Sequence, residues 1–207
     1  MNNHVRAVLF DLGGVYYTEG FRNGLFTIAR KHGIEEQSFY ETATEVIFVN
    51  GYVRGKSPER VFWDQLASVT HVDVDLFPER NLILEAFKPM PEMEALVALT
   101  GEQVPVGLLT DQCNWLYELD ERDGLFAPFN EVITSYEEGY TKRDSEMFRI
   151  TCQRMDVLPQ EMIFFDDNMG NVNRARDFGI RAFLFEDAGQ AEDILIREGV
   201  IELRIED

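Results

Sequence analysis

The sequence predicts an α/β fold: a parallel sheet with helices on both faces, carrying a helical insertion between its first two strands. Three observations carry that expectation. Short apolar runs end abruptly in acidic or hydroxyl residues, helical patterns separate one run from the next, and a long stretch of purely helical periodicity follows the first run.

Residues 5–10 are nearly all apolar and stop at Asp11 and the pair Gly13-Gly14, as a buried parallel strand does on entering a loop. From about residue 16 to residue 88 the pattern is helical. Segments 21–32, 35–49, 57–69 and 77–87 repeat apolar residues every three or four positions, and Ser57-Pro58-Glu59 is a good helix start. A single crossover helix would not need so much chain. Residues 16–88 are therefore expected to form a helical cap, with residues 1–15 and 89–207 as a discontinuous core, and Lys88-Pro89-Met90-Pro91 marks the return. Residues 104–109 form the next strand, ending at Thr110-Asp111, and a helix follows at 114–122. Residues 131–135 are a weaker strand candidate before a helix at 144–155. Strand 162–165 ends at Asp166-Asp167, helix 171–178 stops at Gly179, and strand 181–185 ends at Glu186-Asp187.

Composition narrows the class of function. Of 207 residues, 45% are hydrophobic, enough for a sizeable core, and the net charge of −19 repels nucleic acid and anionic membrane surfaces as main partners. An anionic small substrate would need local cations. Cys113 and Cys152 are too few for a disulfide framework and have no paired metal-ligand spacing, so they read as free thiols in a reducing compartment. The first residues contain no apolar run long enough for a signal peptide, and no segment approaches the ~18 apolar residues of a membrane span. A cytoplasmic location is expected. His4, His32 and His71 are scattered and read as surface residues.

Ligands of open parallel sheets bind at the carboxyl ends of the strands, which singles out Asp11, Thr110, Asp111, Asp166 and Asp167. One aspartate after a strand is usually a cap or turn former. Five such side chains after three strands form a candidate site. Lys142, read alone in the pair Lys142-Arg143, is a solvated lysine, and Arg54 and Lys56 around Gly55 read as an ordinary exposed turn. Phe62, Trp63 and the other aromatics of the insertion read as core.

The stretch Phe10-Asp11-Leu12-Gly13-Gly14-Val15 after an apolar strand resembles the first motif of the haloacid dehalogenase superfamily. Leu108-Leu109-Thr110 is similar to the second motif, Gly139-Tyr140-Thr141-Lys142 to the third, and Ile163-Phe164-Phe165-Asp166-Asp167-Asn168, with Asn171 and Ala175 downstream, to the fourth. The resemblance implies a Rossmann-like three-layer α/β/α core with a helical cap, and a magnesium-dependent hydrolase. It implies Asp11 as nucleophile, Thr110 holding the transferring phosphoryl group, and Lys142 neutralising phosphate and nucleophile. It further implies Asp11, Asp167 and the Gly13 carbonyl as magnesium ligands, with Asp166 a direct ligand or a partner behind one, and Thr110, Asp111 and Lys142 in contact with substrate. Members that resemble the chain include sugar-phosphate phosphatases and the amino-terminal domains of soluble epoxide hydrolases. A small phosphorylated metabolite is the expected substrate, and oligomeric state is not legible.

The chemistry of such a set can be stated independently. A carboxylate attacking a phosphate dianion brings two negative charges together and needs positive charge nearby, which magnesium and Lys142 would supply. Magnesium takes oxygen ligands and keeps several waters, so one or two carboxylates and a carbonyl suffice. Three positions depart from the family's pattern. Phosphatases of the family usually carry a second Asp two residues after the nucleophile, as general acid and then base, and Gly13 stands there. Asp111 stands where Asn is common, and Arg143 replaces a Pro. General acid–base catalysis typically contributes ~100- to 10,000-fold. Tyr16, Tyr17 and Asp111 are the nearby groups able to exchange a proton. Two other readings remain open: a 2-haloacid dehalogenase-type hydrolase, in which Asp11 attacks carbon without a metal, and a catalytically weakened binding module.

Overall fold

A computed structural model of the chain describes residues 4–72 and 76–202. The first three and last five residues of the expected core lie outside the described residues. Strands β1 (Ala7–Phe10), β2 (Val106–Thr110), β3 (Glu131–Thr134), β4 (Met162–Asp166) and β5 (Arg181–Leu184) form one parallel sheet in the order β3-β2-β1-β4-β5. β1 is central because it is buried on both faces: alternate side chains leave it on opposite sides. Val8 and Phe10 join one apolar cluster, Ala7 and Leu9 the other. The strand order reverses between β1 and β4, which opens a crevice beyond their carboxyl ends. Asp11 and the pair Asp166-Asp167 stand there.

Ten α-helices flank or cover this sheet among the described residues. Between β1 and β2 lie α1 (Gly20–His32), α2 (Glu36–Val49), α3 (Glu59–Thr70), α4 (Leu76–Ala86) and α5 (Pro91–Gly101). The first four coincide with the helical patterns at 21–32, 35–49, 57–69 and 77–87. α5 was not anticipated, although Met93, Leu96 and Val97 are buried at helical spacing and Pro91 opens it. After β2 come α6 (Trp115–Asp123), α7 (Ser135–Glu138), α8 (Ser145–Met155), α9 (Met169–Phe178) and α10 (Ala188–Arg197). Asp187, which follows the last strand, caps α10 by accepting the Gln190 N–H at 2.8 Å.

The insertion shares the apolar cluster of one sheet face rather than forming a separate core: Leu25, Ile28, Phe39, Phe62 and Trp63 belong with Phe10, Leu108 and Phe165. α1 lies close against α4 because residues 20 and 24 lack side chains. A Cβ on Gly20 would fall 2.2 Å from Phe87 Cγ, and one on Gly24 would fall 2.4 Å from Ile83 Cα. Polar ties fasten the two regions further. Arg122 of α6 donates to the Leu84 and Phe87 carbonyls at 2.8 and 2.6 Å, satisfying backbone acceptors at the end of α4. Arg80 pairs with Glu59 and Glu118. Arg54 is half-buried and reaches Asp144 at 3.2 Å, so it joins insertion to core and corrects its reading as a plain exposed turn. The passage into and out of the insertion is a pair of extended segments, with Thr18 N–H donating to the Lys88 carbonyl and Met90 N–H to the Tyr16 carbonyl. Among the described residues, no helix is long and apolar enough to cross a membrane.

Candidate active site

The loop after β1 turns sharply, and its geometry sets the site. Leu12 N–H folds back onto Asp11 Oδ1 at 2.7 Å, and Gly14 takes a φ of 78°. That glycine is required for two reasons. A side chain is strained at positive φ, and a Cβ there would lie 2.3 Å from Asp167 Oδ2. The main chain after β1 thus packs directly against the carboxylate delivered by the end of β4.

Asp11, Asp166 and Asp167 converge: one oxygen from each lies within 4.8 Å of the others. Lys142 enters among them almost fully buried, its Nζ 2.8 Å from Asp11 Oδ1 and 2.7 Å from Asp166 Oδ2. Burial works against the lysine's charge, but Asp11, Asp166 and Asp111 outweigh it and raise its pKa, so the ammonium is retained. Burial raises Asp11 well above the ordinary aspartate range; Lys142 opposes this, while Asp166 and Asp167 add to it. Burial and the neighbouring Asp166 raise Asp167 as well.

Asp166 has a different environment from Asp167. Its carboxylate accepts from Lys142 Nζ, Asn168 N–H and Asn171 Nδ2, the last two at 2.8 and 3.0 Å. Those donors occupy both of its oxygens. Asp167 instead borders a cavity of about 360 Å³, together with Asp11, Gly13, Thr110, Asp111 and Lys142. Every residue expected at the site is therefore brought to one place, with Asp166 immediately behind Lys142. Asp111 borders the cavity too, but both its oxygens face the Lys142 N–H, at 2.9 and 3.2 Å. Its geometry fits holding the lysine's loop rather than meeting substrate. Arg174 supports the same loop by donating to the Lys142 carbonyl at 2.9 Å.

The all-oxygen donor set suits a hard divalent cation, and the crowding of carboxylates around one ammonium leaves negative charge that such an ion would offset. Asp11, Asp167 and the Gly13 carbonyl are the residues that would hold it.

Other residues of the cavity were not evident from the sequence. Arg22 and Tyr40, from α1 and α2, face it from the insertion, and Arg143 faces it from the core. Glu19, the residue before α1, also lines it. Burial pushes the Glu19 carboxyl up to about 7, with Asp167 adding to the shift and Arg22 opposing it. No local feature of the sequence sets Glu19 apart from an ordinary residue before a helix. Tyr16 and Tyr17, considered as proton donors, do not border the cavity; Tyr17 donates its hydroxyl proton to Asp123 at 3.1 Å instead. His32 is not a plain surface residue, since its ring sits 2.8 Å from the buried Glu79.

A five-stranded parallel sheet that gathers Asp11 after β1, Lys142, and Asp166 and Asp167 at the end of β4 defines an α/β protein with a carboxylate-rich site. The model of haloacid dehalogenase-like hydrolases matches residues 5–179, and the chain belongs to that family. Among curated proteins it is 28% identical over 108 residues to bifunctional epoxide hydrolase 2 of Rattus norvegicus, covering 49% of this chain and 19% of that one. It is 26% identical over 196 residues to acyl-CoA dehydrogenase family member 10 of Mus musculus, covering 84% of this chain and 17% of that one. The chain thus spans about a fifth of the length of these relatives. Among solved structures, a HAD family enzyme of Bacteroides thetaiotaomicron superposes with a TM-score of 0.74 at 20% identity, covering 94% of this chain and 99% of that one. The same enzyme has been solved with magnesium and inorganic phosphate; that structure has a TM-score of 0.67 at 18% identity, with 88% and 94% covered. An L-2-haloacid dehalogenase of Xanthobacter autotrophicus, with chloropropionic acid covalently bound, gives 0.64 at 15% identity, with 96% and 85% covered.

Proposed function

We propose that the chain is a magnesium-dependent phosphatase that hydrolyses a small phosphorylated metabolite in the cytoplasm through an aspartyl-phosphate intermediate. The observation that carries this reading is the convergence of Asp11, Asp166 and Asp167 around the buried Lys142 at the edge of an open cavity. A dehalogenase attacking carbon would have no use for so much negative charge beside its nucleophile, whereas phosphoryl transfer with a divalent cation does.

In this reading Asp11 attacks phosphorus, the phosphorus–oxygen bond to the leaving group breaks, and water then displaces the aspartyl oxygen from phosphorus. Lys142 stays protonated throughout and balances the charge that gathers on Asp11 and the phosphoryl oxygens. The Thr110 hydroxyl donates one hydrogen bond to a phosphoryl oxygen. Magnesium, when bound, supplies Lewis-acid neutralisation of those oxygens. Asp111, Arg174 and Asp166 keep Lys142 in place, so the cation is preorganised rather than recruited.

The test is phosphate release from an activated aryl phosphate and a panel of phosphorylated metabolites, sugar phosphates included, with and without magnesium, beside Asp11→Asn. Release that requires both magnesium and Asp11 is the expected result. Halide release from 2-haloacids without a metal would replace this reading with the dehalogenase one, and metabolite binding with neither product would replace it with a binding module.

A further inference from the structure

Gly13 leaves the chain without the acid that a phosphatase of this kind carries two residues after its nucleophile, yet a carboxyl group is present in the same space. A Cβ built on Gly13 would meet Glu19 Oε1 at 3.3 Å and Glu19 Cδ at 3.8 Å. The oxygens of an aspartate at residue 13 would lie about 2.4 Å from that Cβ, given ordinary bond lengths. The glutamate carboxyl therefore lies in contact with the point from which the missing side chain would spring, within about an ångström of its oxygens' reach, and comes from the residue before the first helix of the insertion.

Its placement is built. Glu19 is the cap residue of α1, and the Arg22 N–H of the first turn favours its carboxylate without closing the capping hydrogen bonds that Glu35, at the same position before α2, accepts from the Gln37 and Ser38 N–H groups. Glu19 instead borders the cavity beside Asp11 and Gly13. The close seat of Gly20 on Phe87 fixes the main chain that carries it.

Resting on the phosphatase reading above, we propose that Glu19 is the proton-transfer residue of the reaction. In the first step the Asp11–phosphorus bond forms, the bond from phosphorus to the leaving oxygen breaks, and the Glu19 carboxyl gives its proton to that oxygen. In the second, the Glu19 carboxylate takes a proton from the water whose oxygen bonds to phosphorus, the Asp11–phosphorus bond breaks, and Glu19 ends protonated as it began.

The experiment measures leaving-group release in a single turnover, with enzyme in excess and magnesium present, from an alkyl phosphate and an activated aryl phosphate. Glu19→Gln should slow alcohol release from the alkyl ester by about 100-fold or more and release from the aryl ester by less than about 10-fold, because a good leaving group needs little protonation. Phosphate should then remain on Asp11, detectable by intact mass. Gly13→Asp placed in a Glu19→Ala background should restore much of the alkyl rate, which a purely structural role for Glu19 does not predict. Equal slowing of both esters, or no slowing of either, overturns the assignment of Glu19 while leaving the phosphatase reading in place. No magnesium-dependent release from either ester by the unaltered protein overturns both.

Discussion

Lys142 Nζ lies 2.8 Å from Asp11 Oδ1 with 2% of the lysine side chain exposed, so carboxylate and ammonium form a desolvated pair. The same ammonium serves Asp166 at 2.7 Å. Removing it leaves two buried carboxylates without their common partner. Lys142→Met should abolish measurable turnover and cost about 3–5 kcal/mol of stability, the usual penalty for breaking a buried pair from one side. Urea unfolding alongside phosphate release checks both. Lys142→Arg should not restore activity, because a planar guanidinium is larger and cannot present one point charge to both aspartates in a packed site. A variant with near-normal stability would show that the lysine is not the charge that holds these groups together.

Gly14→Ala should damage the metal site more than the fold. At a φ of 78° an alanine costs on the order of 1 kcal/mol, but its Cβ would also fall 2.3 Å from Asp167 Oδ2 and must displace that carboxylate. The expected result is at least a tenfold loss in magnesium affinity by titration calorimetry, with a modest fall in unfolding temperature. Unchanged magnesium binding would mean that Asp167 is not a ligand.

The parts legible in the sequence are those where one physical rule acts alone. β1, β2 and β4 are buried on both faces, so each reads as an unbroken apolar run, and Asp11, Thr110 and Asp166-Asp167 follow from where those runs stop. An aspartate after a strand serves equally well as a helix cap, and Asp187, where α10 begins, is one. α5 carried its three-and-four spacing openly but sits directly behind a proline-rich return segment, and no element was assigned there. Glu19 and Arg22 were beyond reach for a different reason. Nothing local marks them as functional; the packing of Gly20 and Gly24 against Phe87 and Ile83, distant in sequence, seats the start of α1 near the loop after β1.

Glu79 of α4 gives the chain an acid-sensitive tie inside the insertion. It is 1% exposed, and its Oε1 lies 2.7 Å from Lys31 Nζ and 2.8 Å from His32 Nε2, while Oε2 is buried without a partner among the described residues. Burial alone would raise this carboxyl, but hydrogen bonds and charge from Lys31 and His32 outweigh it and hold the pKa below the ordinary value of 4.5. A group with a depressed folded pKa binds protons more weakly in the folded state, so its stabilising contribution is complete above the unfolded value and is lost as pH falls through the folded one. Unfolding temperature should therefore drop between about pH 5 and pH 3, and Glu79→Gln should lower it at neutral pH while flattening the drop. Parallel pH curves for the two proteins would count against the tie.

Arg22 and Arg143 answer the question raised by a net charge of −19, namely how an anionic substrate could be attracted at all. They border the active-site cavity from opposite regions, one on α1 and one beside Lys142. Each guanidinium rests on aromatic rings: Arg22 lies 5.2 Å from the Phe26 centroid and 5.6 Å from that of Tyr40, and Arg143 lies 3.8 Å from that of Phe48. Neither forms an ion pair among the described residues, so their donors remain available to a ligand. Neither is paired with Asp11, so they should hold a part of the substrate that does not react and bind ground state and transition state alike. Arg143→Ala and Arg22→Ala should each raise KM by about tenfold with little change in kcat, the signature of uniform binding. The penalty should be larger for a phosphate ester that carries a second anionic group than for one that carries only hydroxyls, since the former has two charges to place and Lys142 can take only one. A fall in kcat at constant KM would instead assign the arginines to the charge that develops during phosphoryl transfer, and would place the leaving group, rather than a remote part of the substrate, against the insertion.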